Sequence, residues 1–444
     1  MDIRTRIDSS RMTAYQWLII ALVTYLNALD GYDLVAIAYS STVITEQFSI
    51  GPAALGWLLS SALLGMGVGA LLLGPLADKF GRRKMIIASI LINLVGLVMT
   101  GFATTFGGLL TWRIVTGIGV GGILATITVV TSEFSNRKFR GLAMAIYASG
   151  YGLGATLCGT LAAQFIPTIG WEWIFFTGAI LTIVGLLGVL FVLPESTDYL
   201  SNRRDLDGVR SVSARIGHGT DVELNPVVRT EKAPLRELVS GDFLGVTIRL
   251  WIAFSLVNFG FNFANSWTPK LLTETGMTAQ QGILGGIMLS FGGTIGSLIF
   301  GVLTTKISAR TVLISFSILG AGTLIAFIYS TGIPTLAFAL GVLVGMLLNG
   351  CVTGMYTVTP AAYPSHLRGT GVGAALAAGR VGAVCGPLLI GYLAEAGWSP
   401  EALYITVAAV FVFTAVALFG LRSPGTAVVS SESEKLPITA ASAQ

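Results

Sequence analysis

Charge is scarce in this chain. Only 11% of its 444 residues are Asp, Glu, Lys or Arg, against roughly 25% in a typical soluble domain. A water-facing surface cannot be covered with so few charges, so most of the surface must face lipid. Histidine is rarer still. His218 and His366 are the two present, and neither is placed for a proton relay. The three cysteines, Cys158, Cys351 and Cys385, lie in apolar segments without a CxxC pair or a nearby histidine, so a metal or redox centre has no support. No Walker-type phosphate loop occurs, which removes ATP as an energy source. No cofactor and no metal are therefore expected. The net charge of +4 is no nucleic-acid signal. No cleavable leader is read either, because the first apolar run, from Tyr15, is already a full span.

Long apolar runs are what the chain does have, with 53% hydrophobic residues. A helix needs about 20 such residues to cross a bilayer. Runs of that kind predict spans near 15–37, 53–76, 85–103, 107–132, 141–165, 171–193, 246–268, 280–303, 311–330, 334–357, 369–393 and 402–421. The 56 glycines fit the same reading, since small residues let membrane helices pack closely. The fold class expected is an all-α membrane protein. Segment 194–244 is polar and reads as a central loop between an N-terminal bundle, 1–193, and a C-terminal one, 245–422. Residues 423–444 read as a disordered tail.

The basic residues give this topology a direction. Of the 26 Lys and Arg, 23 fall on the face that carries the N terminus, Lys270 alone falls on the other, and Arg113 and Arg380 lie inside spans. Such a bias places both termini in the cytoplasm. The loops also repeat. "GPLADKFGRRKM" from Gly74 is echoed by "GVLTTKISARTV" from Gly301, and "TSEFSNRKFRG" by "TPAAYPSHLRG", at offsets of 227 and 228 residues. The second half thus duplicates the first in the same orientation, a transporter architecture with its site between the halves.

"GPLADKFGRRK" resembles the signature between the second and third helices of the major facilitator superfamily. "RIVTGIGVGG" from Arg113 and "PESTDYL" from Pro194 resemble two further motifs of that superfamily. The resemblance covers essentially the whole chain and implies twelve transmembrane helices in two six-helix bundles. Gly74 permits close helix approach, and Gly81 belongs with it to the cytoplasmic gate. Asp78, Arg82 and Arg83 are expected to clamp the cytoplasmic face, with Glu133 and Arg140 in the same gate. The second copy lacks the Asp and the Gly-Arg pair, so a clamp there should be weaker.

Four ionisable residues lie well inside spans: Asp30, Asp33, Arg113 and Arg380. Each costs on the order of 3 kcal/mol at the bilayer centre. Asp30 and Asp33 are three apart and share a helix face. Arg113 sits at similar depth and is expected to compensate at least one of them, making a protonation-dependent element. Arg380 has small neighbours and no buried acid in its own half. Its planar fork suits a carboxylate, so it reads as an anion site, with a structural pair to Asp30 or Asp33 as the alternative.

"LDGYD", Leu29 to Asp33, resembles the first-helix motif of the aromatic acid:proton symporters, a branch of the superfamily. That resemblance implies that Asp30 and Asp33 are required for transport, that Arg380 matches an important arginine of the eleventh helix, and that the solutes are benzoate, hydroxybenzoates and related acids. Tyr32, Asn258, Phe261, Asn262, Tyr151 and Tyr356 are further candidates for the cavity wall, with Tyr147, Asn265 and Asn349 beside them. The expectation is a proton-coupled importer of aromatic carboxylates, not an enzyme, in the inner membrane of a bacterium and monomeric. Another small organic anion, or drug/proton antiport, stays open. Arg380 argues against cationic solutes.

Overall fold

The computed structural model describes residues 2–224, 235–239 and 243–421. The expected tail, 423–444, and stretches 225–234 and 240–242 of the central segment lie outside the described residues. Sixteen helices are described: α1 (Ile3–Ser9), α2 (Ala14–Gln47), α3 (Pro52–Phe80), α4 (Arg82–Gly101), α5 (Phe106–Glu133), α6 (Arg140–Phe165), α7 (Glu172–Phe191), α8 (Thr197–Asn202), α9 (Leu206–Arg215), α10 (Leu235–Leu238), α11 (Leu244–Glu274), α12 (Ala279–Leu303), α13 (Ala309–Tyr329), α14 (Pro334–Ala361), α15 (Ser365–Glu395) and α16 (Pro400–Phe419). Twelve, α2–α7 and α11–α16, are long and apolar enough to cross a membrane. Local chemistry starts several of them. Thr13 and Gln16 form a reciprocal capping box on α2, as Thr278 and Gln281 do on α12, satisfying amides that a helix start leaves open. Pro52, Pro334 and Pro400 stand in the first turns of α3, α14 and α16, where a missing N–H costs nothing. The first span runs ten residues past its predicted end at 37. Ser40 and Ser41 look like a stop, but their hydroxyls donate to the helix's own carbonyls, Ala36 O and Ala38 O. They are therefore satisfied in lipid.

The two bundles share one packing scheme. In the first, α2 lies on α6, α3 on α5, and α4 on α5 and α7. In the second, α11 lies on α15, α12 on α14, and α13 on α14 and α16. The order of partners is the same, as a parallel repeat requires. Backbones nearly touch where glycines face a neighbour. A Cβ on Gly65 or Gly69 would come within 2.2 or 2.1 Å of a carbonyl oxygen of α5. Gly292 and Gly296 of α12 repeat this against α14, at 1.9 and 2.0 Å. Close backbone contact is what holds helices together where lipid removes the hydrophobic drive.

Between the bundles, α3 meets α15, α6 meets α12, and α2 meets α11. Three hydrogen bonds cross this interface near the face opposite the termini: Ala53 N–H to Glu395 Oε2 at 2.8 Å, Trp57 Nε1–H to Tyr392 Oη at 3.0 Å, and Ser60 Oγ–H to Val384 O at 2.8 Å. Beside them the seam is backbone on backbone. A Cβ on Gly56 would meet Pro387 O at 2.9 Å, and one on Gly391 would meet Pro52 O at 2.7 Å. Toward the face of the N terminus, α5 and α14 are not among the closely packed helix pairs of the described residues, and Tyr356 of α14 is 53% exposed. The interface is closed at one face and open at the other.

The described part of the central segment is more than a loop. Residues 197–202 and 206–215 are α8 and α9, and Val209, Val212 and Ile216 share one buried face. They pack with Ile3 and Ile7 of α1 and with Ile19, Val23, Phe134 and Val189 of the first bundle. Asp2 and Glu223 add a backbone bridge, and Thr13 Oγ1 donates to Ile216 O at 2.8 Å. Charges dominate this stretch and hide its apolar stripe, which is why sequence reading makes it a linker.

Candidate transport site

Asp33 and Arg113 meet inside the first bundle. Arg113 is fully buried and Asp33 is 4% exposed. Nη1 of Arg113 donates to Asp33 Oδ1 at 2.5 Å, and Nη2 donates to the backbone carbonyl of Asp33 at 3.0 Å. The guanidinium also lies 5.7 Å from the Phe175 ring centre, a cation–π contact strengthened by dryness. Its Nε has no hydrogen-bond partner among the described residues. One arginine thus reads both the side chain and the backbone of one aspartate, which fixes the helix rotation as well as the charge.

Asp30 faces another way. It is 7% exposed and lines a small cavity with Leu26, Leu29, Ile90, Asn93, Val120, Ile123 and Thr182. Arg380, from the other bundle, lies within electrostatic range of it. The two are not within the 4 Å of an ion pair, and Arg380 makes no hydrogen bond among the described residues. Tyr147 and Tyr151 of α6 also lie in range of Asp30, and Tyr147 in range of Arg380 and Tyr356. Phe261 of α11 tilts against Tyr151, with ring centres 6.3 Å apart. Phe254 packs edge-on to Tyr356 at 5.5 Å. Asp30, Tyr147, Tyr151, Phe261, Tyr356 and Arg380 therefore gather at the interface, from five helices and both halves. An acid and an unpaired arginine that feel each other across a gap can share it with an anion.

Other sequence candidates turn elsewhere. Tyr32 is 2% exposed and its hydroxyl donates to Ile174 O at 2.8 Å. That places it inside the first bundle and off the cavity wall, correcting the expectation. Next to Asp33 but about a quarter-turn round the helix, it points at α7, while Asp33 meets Arg113 of α5. The amides of α11 are spent locally: Asn258 donates to Phe254 O, Asn262 to Asn258 O and Asn265 to Phe261 O, each at 2.9 Å. Asn262 is 4% exposed. Asn349 ties α14 to Gly293 O of α12 at 2.7 Å.

At the face of the N terminus the motif residues form one network within the first bundle. Arg82 pairs with Glu133, bonds Ser196 Oγ at 2.9 Å, and lies 3.5 Å from Asp78 and 3.9 Å from Asp198. Glu195 accepts from the backbone N–H of Arg83 at 3.0 Å, while Arg83 itself reaches Leu190 O at 2.6 Å. Gly81 has φ of 108°, a conformation that favours glycine, and a Cβ there would lie 2.5 Å from Glu195 Oε2 and push that side chain aside. A Cβ on Gly74 would make only ordinary contact, 3.5 Å from Ala125. Arg140 pairs with Asp8 of α1 at 2.7 Å, and Arg4 donates to Asp8 at 3.0 Å and to Glu133 O at 2.8 Å. Glu195, Ser196, Arg4 and Asp8 went unnamed among the candidates. "PESTDYL" carried the first two. For α1 the signal was weak, since seven residues leave little periodicity.

Two six-helix bundles in parallel repeat, with a buried acid and a half-buried arginine facing each other across their interface, define a membrane transporter. A family model of the Major Facilitator Superfamily matches residues 20–311 and 274–443, and the chain belongs to that superfamily. Among curated relatives, the 4-hydroxybenzoate transporter of Pseudomonas aeruginosa is 29% identical, over 95% of this chain and 96% of its own length. The benzoate transport protein of Acinetobacter baylyi is 28% identical, over 88% and 86%. The 3-(3-hydroxy-phenyl)propionate transporter of Escherichia coli is 29% identical, over 94% and 97%. In fold, the chain is similar to a solved proton:xylose symporter of the superfamily, with a TM-score of 0.69, 18% identity, and coverage of 91% of this chain and 95% of that one.

Proposed function

We propose that this chain imports aromatic carboxylates together with protons, by alternating access, as a monomer in the inner membrane of a bacterium with both termini in the cytoplasm. The observation that carries the reading is Arg380. It is an arginine at the interface with no ion pair or hydrogen bond of its own among the described residues, in range of one buried acid, Asp30, from the other half. Relatives transporting benzoate and 4-hydroxybenzoate support the solute class.

We assign the two aspartates different tasks, on the support of their different partners. Asp33 is held by Arg113 and maintains the helix contact. Asp30 is the acid that Arg380 senses. With Asp30 ionised, part of the Arg380 charge is already neutralised. A proton on Asp30 frees that charge for the substrate carboxylate, and a bound carboxylate in turn favours the proton. Such mutual reinforcement is a coupling free energy, equal in both directions. Phe261, Tyr151 and Tyr356 supply aromatic walls for the ring. The ion network of Gly74, Asp78, Gly81, Arg82, Arg83, Glu133 and Arg140 stays within the first half in this inward-open arrangement. It serves as the rigid cytoplasmic edge against which the second half closes.

The test is uptake of labelled 4-hydroxybenzoate and benzoate by cells producing the chain. A protonophore should abolish accumulation. Arg380→Lys should raise KM at least about tenfold, because one of two charge-assisted hydrogen bonds is lost. Unchanged KM would move the carboxylate site away from Arg380, and uptake indifferent to the protonophore would remove proton coupling.

A further inference from the structure

Two buried phenol hydroxyls, those of Tyr39 and Tyr151, have no hydrogen-bonding task in the scheme above. Tyr39 of α2 is 4% exposed, and its hydroxyl has no hydrogen-bond partner among the described residues. It faces Ser290 of α12, but Ser290 Oγ donates back to Gly286 O at 3.0 Å and the two hydroxyls do not meet in bonding geometry. The hydroxyl of Tyr151 is likewise buried and unpartnered, and lies within range of both Tyr39 and Asp30. Room for the Tyr39 ring is made by glycines from both halves. A Cβ on Gly286 would come within 2.5 Å of its Cε1, and one on Gly159 within 3.1 Å of its Cζ. The ring is thus tightly held while its polar end is unsatisfied. Phenylalanine would fill the same space without leaving a buried hydroxyl unpaired, a state that costs stability.

We propose that Tyr39 and Tyr151 form a subsite for a ring hydroxyl, so that this chain selects aromatic carboxylates hydroxylated away from the carboxyl group over the unsubstituted acid. The inference rests on the function proposed above. The carboxylate sits on Arg380, on the α3–α15 side of the interface. The ring crosses beside Phe261 and Tyr151. Its hydroxyl donates to one phenol oxygen and accepts from the other. Tyr39 lies nine residues beyond Asp30 on α2, about 13 Å of helix rise, so the hydroxyl end of the solute points toward the closed face. A plain ring leaves both phenols unpaired, and sites with buried polar groups reject analogues that lack the matching group.

The experiment measures uptake of 4-hydroxybenzoate and benzoate by the full chain in proteoliposomes under an imposed proton gradient, with 4-chlorobenzoate as competitor. Wild type should favour the hydroxylated acid by about tenfold in kcat/KM, and 4-chlorobenzoate should compete no better than benzoate. Tyr39→Phe and Tyr151→Phe should each pull the ratio toward one. Equal use of the two acids by wild type, or a ratio that survives both substitutions, overturns the subsite. The wild-type competition series decides alone if either variant fails to reach the membrane. Uptake of neither acid would instead overturn the function proposed above, an outcome distinct from uptake of both without discrimination.

Discussion

Asp30 and Asp33 sit three residues apart on α2 and are neutralised from opposite directions, one in range of Arg380 and the other bonded to Arg113. The sequence made both acids, both arginines and their depth legible, because a charge in an apolar run stands out. It did not make legible which arginine faces which acid, since that depends on helix rotation. Tyr32 shows the same limit: spacing puts it beside the acids, and packing sends its hydroxyl to Ile174 O. A buried pair is costly to halve. Asp33→Asn should lower the stability of the detergent-solubilised protein by about 3–5 kcal/mol, because Arg113 is left charged and dry. Asp33→Leu combined with Arg113→Met should recover most of it. A double variant that melts no higher than the single would show that the stranded Arg113 charge is not what the single substitution costs.

Helix existence followed from apolar length, and the twelve described spans match the predicted ones to within a few residues except where α2 and α11 run on. What composition hid was α9, whose apolar stripe is flanked by Arg210, Arg215 and Asp207. This element docks on the start of α2 through His218, which contacts Gln16 at 3.2 Å and is 7% exposed. Burial, helped by the charge of Arg6, holds the His218 imidazole below its ordinary value of 6.5. The unfolded or undocked segment therefore binds a proton more readily than the docked one. Stability is full above about pH 6.5 and falls as pH drops from there toward the depressed value. Amide hydrogen exchange over 197–218 should accordingly be faster at pH 5.5 than at 7.5, after correction for intrinsic rates. Equal protection at both would mean that His218 does not report on docking.

At the scale of the whole molecule, the repeat predicted two like bundles, and the partner order of their helices agrees with it. The state of the interface was not legible, because which face is closed depends on contacts such as Trp57 with Tyr392 that no periodicity reveals. Alternating access requires that seam to open. In a background with Cys158, Cys351 and Cys385 replaced by Ser, Ala53→Cys with Glu395→Cys bridged by a short thiol cross-linker should stop uptake, and the unbridged pair should not. Full uptake at full cross-linking would exclude a moving seam. The glycines of that seam carry a further consequence. Gly56 and Gly391 let backbone lie on backbone between α3 and α15, and contact energy of that kind falls off within an ångström. A single methyl group at either position would act as a wedge there. It would leave each bundle intact and change how long the empty carrier waits facing each compartment. The balance between the two waiting states would then depend on positions with no side chain as well as on the hydrogen bonds beside them.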